Sequence, residues 1–267
     1  LPENMHVTGN NAPRSGGKTK GEPVMDLFRA QFEFLAAWLV EHADRNQLTT
    51  IADPGSVTWP AAGQRNLVIG ADIAVELGHP GDATLSFIVW GPSSGDPQGS
   101  RIYRVGPDLP ASQGQRRPFA KIVMIQGSGF DPDNTYARYR QLEAVRYAID
   151  LKGYMMRAVS QVDREWSRVS RTALENGFSF AVLGGALIAA YTAIDWVDRA
   201  DVLFVTSSRA DVMAFQPLAE SVREVTAAMN KMSEEMNFDC DSCSYAEVCS
   251  DVAGLRAMRK AMEQSDA

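Results

Sequence analysis

The chain has 267 residues, of which 45 % are hydrophobic and 22 % charged, an ordinary globular mixture that excludes a largely disordered chain. Its formal net charge of −7 removes the basic surplus that a general nucleic-acid binder needs for phosphate contacts. Two local basic groupings, Arg101, Arg104, Arg116, Arg117 and Lys121, and Arg164, Arg168 and Arg171, read as solvated surface.

Residues 1–23 are rich in Gly, Asn, Pro, Lys and Arg without apolar periodicity, which predicts a flexible arm suited to docking. They lack a charged-then-apolar secretory pattern, so a cytoplasmic location is expected. From Val24 to about Ala43, Leu27, Phe28, Phe32, Leu35, Trp38 and Leu39 recur at helical spacing and predict an amphipathic helix. A segment punctuated by Pro and Gly follows, and then runs suited to strands at 66–77, 84–90, 102–105 and 120–126. Their spacing predicts a compact sheet of neighbouring strands, with 91–99 as an exposed loop.

After the Gly127-Ser128-Gly129 turn, Asp131 or Asp133 is placed to cap a helix with Pro132 in its first turn, and a helical pattern runs to about Asn176, with Gly153 as a break. Phe178 to Trp196 is nearly uncharged, but Gly184 and Gly185 interrupt it, and it reads as a buried helix rather than a membrane span. Val202–Thr206 reads as a strand, and 210–235 as one long helix. The fold class expected is α/β or α+β: a mixed sheet with packed helices over 24–235, followed by a cysteine-rich metal-binding segment over 236–267.

All three cysteines, Cys240, Cys243 and Cys249, fall within ten residues, which suits ligands better than a disulfide framework. A Cys-x2-Cys turn brings two thiolates to one metal centre, and a third after five further residues reaches a neighbouring corner. Three soft donors favour an iron–sulfur cluster, with zinc as the alternative. A [4Fe–4S] cluster usually takes four thiolates, so its last corner is open, absent, held by Asp239, Asp241 or a His, or supplied by a partner. Of the histidines, His6 lies in the arm, His42 at a helix end, and His79 in a Gly-His-Pro turn after a strand that is able to project a ligand. No Gly-x-Gly-x-x-Gly, phosphate loop or Gly-x-Ser-x-Gly elbow occurs.

Ala74-Val75-Glu76-Leu77-Gly78-His79-Pro80, Val105-Gly106-Pro107-Asp108-Leu109, the Gly129–Asp133 turn, Trp166-Ser167-Arg168-Val169-Ser170 and the cysteine turn, in that order, resemble the beta subunit of the carbon monoxide dehydrogenase and acetyl-CoA synthase complex. The resemblance implies an iron–sulfur subunit of a multi-component enzyme in one-carbon or acyl-CoA chemistry. It implies other protein subunits as partners, coenzyme A or an acyl thioester as ligand, Cys240, Cys243 and Cys249 at the cluster, and Trp166 and Arg168 in the region of acyl-carrier binding. The third cysteine follows after a shorter gap than in the family, the fourth cluster cysteine is missing, and the 267 residues hold no Cys-Gly-Cys to bind a second nickel. Nickel and acetyl-CoA assembly are therefore not expected. The alternative is a non-catalytic binding or assembly module locked by its metal.

Overall fold

The computed structural model describes residues 26–52, 55, 58–63, 66–93, 99–109, 117–160, 164–234 and 244–265. Helix α1 (Arg29–Asp44) starts later than the periodicity predicts, and buries Leu35, Trp38 and His42. His42 stacks on Trp38 at 3.6 Å between ring centres and donates from Nδ1 to the Trp38 carbonyl at 2.9 Å.

Among the described residues eight strands follow, in two sheets. The larger contains β1 (Leu48–Ile51), β3 (Thr84–Pro92), β4 (Ile102–Val105), β5 (Phe119–Gly127) and β8 (Val197–Val205), in the order β1-β4-β8-β5-β3. β3 with β5 and β4 with β8 are parallel, whereas β5 with β8 and β1 with β4 are antiparallel. β3, at one edge of this sheet, and its neighbour β5 are almost wholly buried, as their largely apolar runs require of strands covered on both faces. The smaller sheet is β2 (Ile73–Leu77), β7 (Arg164–Ser170) and β6 (Tyr154–Ser160), all antiparallel.

The chain is thus mixed α/β, but several expectations change. The strand runs are not neighbours in one sheet: β2 leaves for the second sheet, and β8 separates β4 from β5. The 66–77 run is a strand only from Ile73, after a single 3-10 turn at Gly70–Asp72. β1 lies in the segment read as turns.

The largest correction concerns 131–176, read as helix to about Asn176. Helix α2 is Thr135–Ala148, preceded by a turn in which Asp131 accepts from the Asn134 backbone N–H at 2.9 Å. The chain then forms the β6–β7 pair and the short helix α3 (Arg171–Glu175). Gly153 has φ +81, a left-handed turn that ends any helix there. The alternation along β7 is masked because its buried positions are Glu165, Ser167 and Val169, two of them polar.

Helix α4 (Phe180–Thr192) forms the buried stretch and packs on β8. The 210–235 helix is two: α5 (Arg209–Met213) and α6 (Gln216–Glu234), with Phe215 buried at the joint and Pro217 in the first turn of α6. Two further helices, α7 (Ala246–Asp251) and α8 (Ala253–Ser265), occupy the segment read only as metal-binding. No described helix is long and apolar enough to cross a membrane.

Lys121, read as surface, is the reverse: it is 3 % exposed and pairs with Glu165, 2 % exposed, which joins β5 to β7 across the two sheets. Tyr154 donates its hydroxyl to the other oxygen of Glu165 at 3.2 Å. Burial pulls the Lys121 ammonium down from its ordinary range. Burial likewise pushes Glu165 upward, but the charges of Lys121 and then Arg146 outweigh it and hold the carboxyl below its usual range. Burial, and next the Glu165 charge, drive the Tyr154 phenol well above its ordinary value.

Removing one member of a buried pair strands the other. Glu165→Gln and Lys121→Met should each cost about 3–5 kcal/mol, while the double replacement Lys121→Met with Glu165→Met costs less than the sum. Because Glu165 has a lower pKa folded than unfolded, its contribution is present above the unfolded value of 4.5 and lost as pH falls through the folded one. Urea unfolding from pH 7 to pH 3 should show the gap between wild type and Glu165→Gln shrinking below that value; a constant gap would contradict the pairing.

Gly78 has φ +72, and a Cβ there would sit 1.9 Å from the Glu165 carbonyl oxygen. Gly78→Ala should lower stability by at least about 1–3 kcal/mol from backbone strain alone. Thermal unfolding checks this.

Candidate functional site

Strand alternation decides what β7 shows on each face. With Glu165, Ser167 and Val169 turned inward, Arg164, Trp166 and Arg168 share the opposite face. β2 lies alongside with Glu76 directly opposite Arg168, and on the other side β6 places Met155 opposite Arg168 and Ala158 opposite Trp166. An irregularity in pairing between Met156 and Ala158 sets Arg157 at the bulge.

Trp166 is the centre of this face. The Arg157 guanidinium lies 4.7 Å from its ring centre and that of Arg168 5.9 Å, while the His79 ring meets it edge-on at 5.3 Å and 80°. Arg168 donates from Nε to Glu76 at 2.8 Å, which fixes its plane. His79 Nδ1 accepts the Gly81 backbone N–H at 3.0 Å, so Nε2 is the ring nitrogen that carries a proton, and it faces Glu76 at 3.9 Å. The Trp166 indole Nε1 is buried with no hydrogen-bond partner among the described residues. A buried indole N–H ordinarily finds an acceptor, and none of the described residues supplies one here.

This constellation joins a flat π surface, two guanidinium groups, an imidazole and one orienting carboxylate. It suits a ligand with a planar or amide-rich portion and negative charge: stacking takes the first, Arg157 and Arg168 the second. It holds no nucleophile next to a base, and among the described residues no group of His, Cys, Asp and Glu is arranged to hold a metal.

Of the site residues singled out in the sequence, Trp166 and Arg168 come together, and His79 joins them. Trp166 is half-buried and packed among charged groups rather than inside the apolar core. Arg168, one of the basic residues read as solvated, is paired. Glu76 and Arg157 were not singled out. Glu76 stood in the quoted Ala74–Pro80 run, whereas the helical reading of 131–176 hid Arg157 by giving its segment the wrong period. Cys240 and Cys243 lie outside the described residues. Cys249 is on α7, 6 % exposed, within the apolar core that also takes Leu255 and Met258 of α8. A thiol shielded this way suits a cluster ligand, whose sulfur is protected from solvent, and serves equally as packing.

No curated protein matches the chain. Residues 61–211 match the family model of the CO dehydrogenase/acetyl-CoA synthase complex beta subunit. That span runs from before β2 into α5, so it contains the smaller sheet, most of the larger one and the whole Trp166 platform, and it ends before the three cysteines. With more than half of its length matched, and with the quoted runs from Ala74 to Ser170 inside that length, the chain belongs to the family of the CO dehydrogenase/acetyl-CoA synthase complex beta subunit.

Proposed function

We propose that this chain is an iron–sulfur subunit of a multi-component enzyme in one-carbon or acyl-CoA chemistry, and that the Trp166 platform receives the acyl carrier, coenzyme A or its thioester. The observation that carries the reading is the half-buried Trp166 between Arg157 and Arg168, its indole N–H lacking an acceptor among the described residues. Indole stacking is worth more on a desolvated face, and guanidinium groups match phosphate oxygens better than ammonium groups do. Glu76 orients Arg168 and leaves the His79 Nε2 proton pointed along the same edge. In this reading His79 donates that proton to the carbonyl end of the carrier, and the platform holds the carrier away from bulk water.

Cys240, Cys243 and Cys249 would hold the cluster, with the fourth corner open or filled from outside the cysteine set. Such a cluster supplies electron transfer or a Lewis-acid corner. Making acetyl-CoA at nickel is not part of the proposal. Cys249 packing with Leu255 and Met258 also favours a second reading, in which metal locks α7 and α8 as a docking segment for a partner subunit.

Titration with acetyl-CoA should quench tryptophan fluorescence saturably in the wild type but not in Trp166→Phe. Arg168→Ala should weaken binding about tenfold, the loss of one charge-assisted contact. Equal affinity in all three proteins would end the acyl-carrier reading and leave the docking one.

Anaerobically isolated protein should contain iron and sulfide, and Cys243→Ser should lose both while far-UV circular dichroism retains the α/β signal. Stoichiometric zinc without sulfide would sink the cluster and favour the metal-locked docking segment.

A further inference from the structure

Just before the 3-10 turn at Gly70–Asp72 the backbone of Ile69 is extended, and Val68 beside it is buried at 2 % exposure. Side chains alternate along extended backbone, so Leu67 and Ile69 project together to the solvent side, 76 % and 59 % exposed. Asn66 pins the start of this segment: its side-chain amide donates to the Leu151 carbonyl at 2.9 Å, and its Oδ1 accepts the Gly153 backbone N–H at 3.1 Å. The exposure of the two aliphatic side chains is therefore built into the fold.

Leu67 also forms part of the wall of a cavity of about 770 Å³, together with Trp59, Pro60 and Ala173. Trp59 is held in place by its Nε1, which donates to the Lys152 carbonyl at 2.9 Å, and by an edge-on contact with Phe178 at 5.2 Å and 83°. One patch thus carries protruding aliphatic groups and, next to them, a hollow with apolar walls. The same walls hold one cation, Lys152, and one carboxylate, Asp72, both exposed. Neither makes an ion pair among the described residues.

We infer that this patch is a contact between two copies of the chain related by a two-fold axis, in which Leu67 of each copy enters the cavity of the other. A two-fold contact uses the same patch on both partners, so the patch has to be complementary to itself. Protrusion and hollow side by side meet that requirement. Lys152 and Asp72 meet it in charge, since each finds its opposite on the second copy, and the pairing occurs twice. Ile69 extends the apolar contact beyond the cavity. Single exposed apolar side chains are ordinary, whereas two adjoining ones at a cavity mark an interaction surface. A patch of this extent gives a weak dimer that forms at concentrations on the order of micromolar. The contact uses no residue of the Trp166 platform and does not depend on what the platform binds.

The test is sedimentation equilibrium of the full chain over about a hundredfold range of protein concentration, which should show a monomer passing to a dimer. Leu67→Asp should weaken the dimer at least about tenfold, because it buries a carboxylate in an apolar hollow on each side. Far-UV circular dichroism of that variant should match the wild type, since the side chain is exposed in the single chain. Lys152→Asp and Asp72→Lys should each weaken the dimer about tenfold, and the two together should restore it to within about threefold of the wild type. That restoration separates a reciprocal pair from a general effect of surface charge. A chain that stays monomeric throughout would overturn the inference. So would a dimer that Leu67→Asp leaves as tight as the wild type, or single charge variants that are unweakened or that the double variant does not restore.

Discussion

The buried pair of Lys121 and Glu165 is the constraint on which the arrangement of the two sheets depends. One partner belongs to the central β5 of the large sheet and the other to the middle strand of the small one. Two charges that are almost wholly removed from water tolerate little displacement, since each is costly without the other. The Tyr154 hydroxyl on the second carboxylate oxygen adds β6 to the same point. The pair therefore sets more than a distance between layers. It fixes which residues of β7 face inward, and a slip of one residue would send Trp166 and Arg168 into the interior and Glu165 out.

From that phase the functional face follows. Once Glu165, Ser167 and Val169 are inward, Arg164, Trp166 and Arg168 form a row, and pairing with β2 delivers Glu76 to Arg168. Gly78 then lets the chain turn directly against the Glu165 backbone, a closeness that a side chain would forbid. The turn beyond it carries His79 to the edge of Trp166. The platform is in this sense held by one buried carboxylate.

The family match and the cysteines address different parts of the chain. Residues 61–211 account for the sheets and the platform, and the thiols lie beyond them. The relation to the CO dehydrogenase/acetyl-CoA synthase complex beta subunit thus bears on the strands that carry Trp166, while the cluster reading rests on the chain's own donor set. Cys249 lies in the common core with Leu255 and Met258, so its side chain is part of the packing of α7 and α8.

Where local pattern and burial agree, the sequence by itself determined the result. The apolar period of α1, the largely apolar runs of β3 and β5 and the uncharged stretch of α4 each have one economical reading, because each element buries mainly apolar side chains in the period of its own backbone. The Ala74–Pro80 and Trp166–Ser170 runs, both inside the family match, were legible as short motifs. The β6–β7 pair was not, because its inward positions include Glu165 and Ser167 and so imitate a solvated face. Only a lysine 44 residues away in sequence makes such a carboxylate tolerable in the interior. The strand order was likewise decided by tertiary structure, since nothing local to β8 places it between β4 and β5. Arg157, Glu76 and the cavity beside Leu67 became visible only there as well. Their meaning lies in side chains brought together from distant strands and loops, and no period or spacing along one chain encodes that proximity.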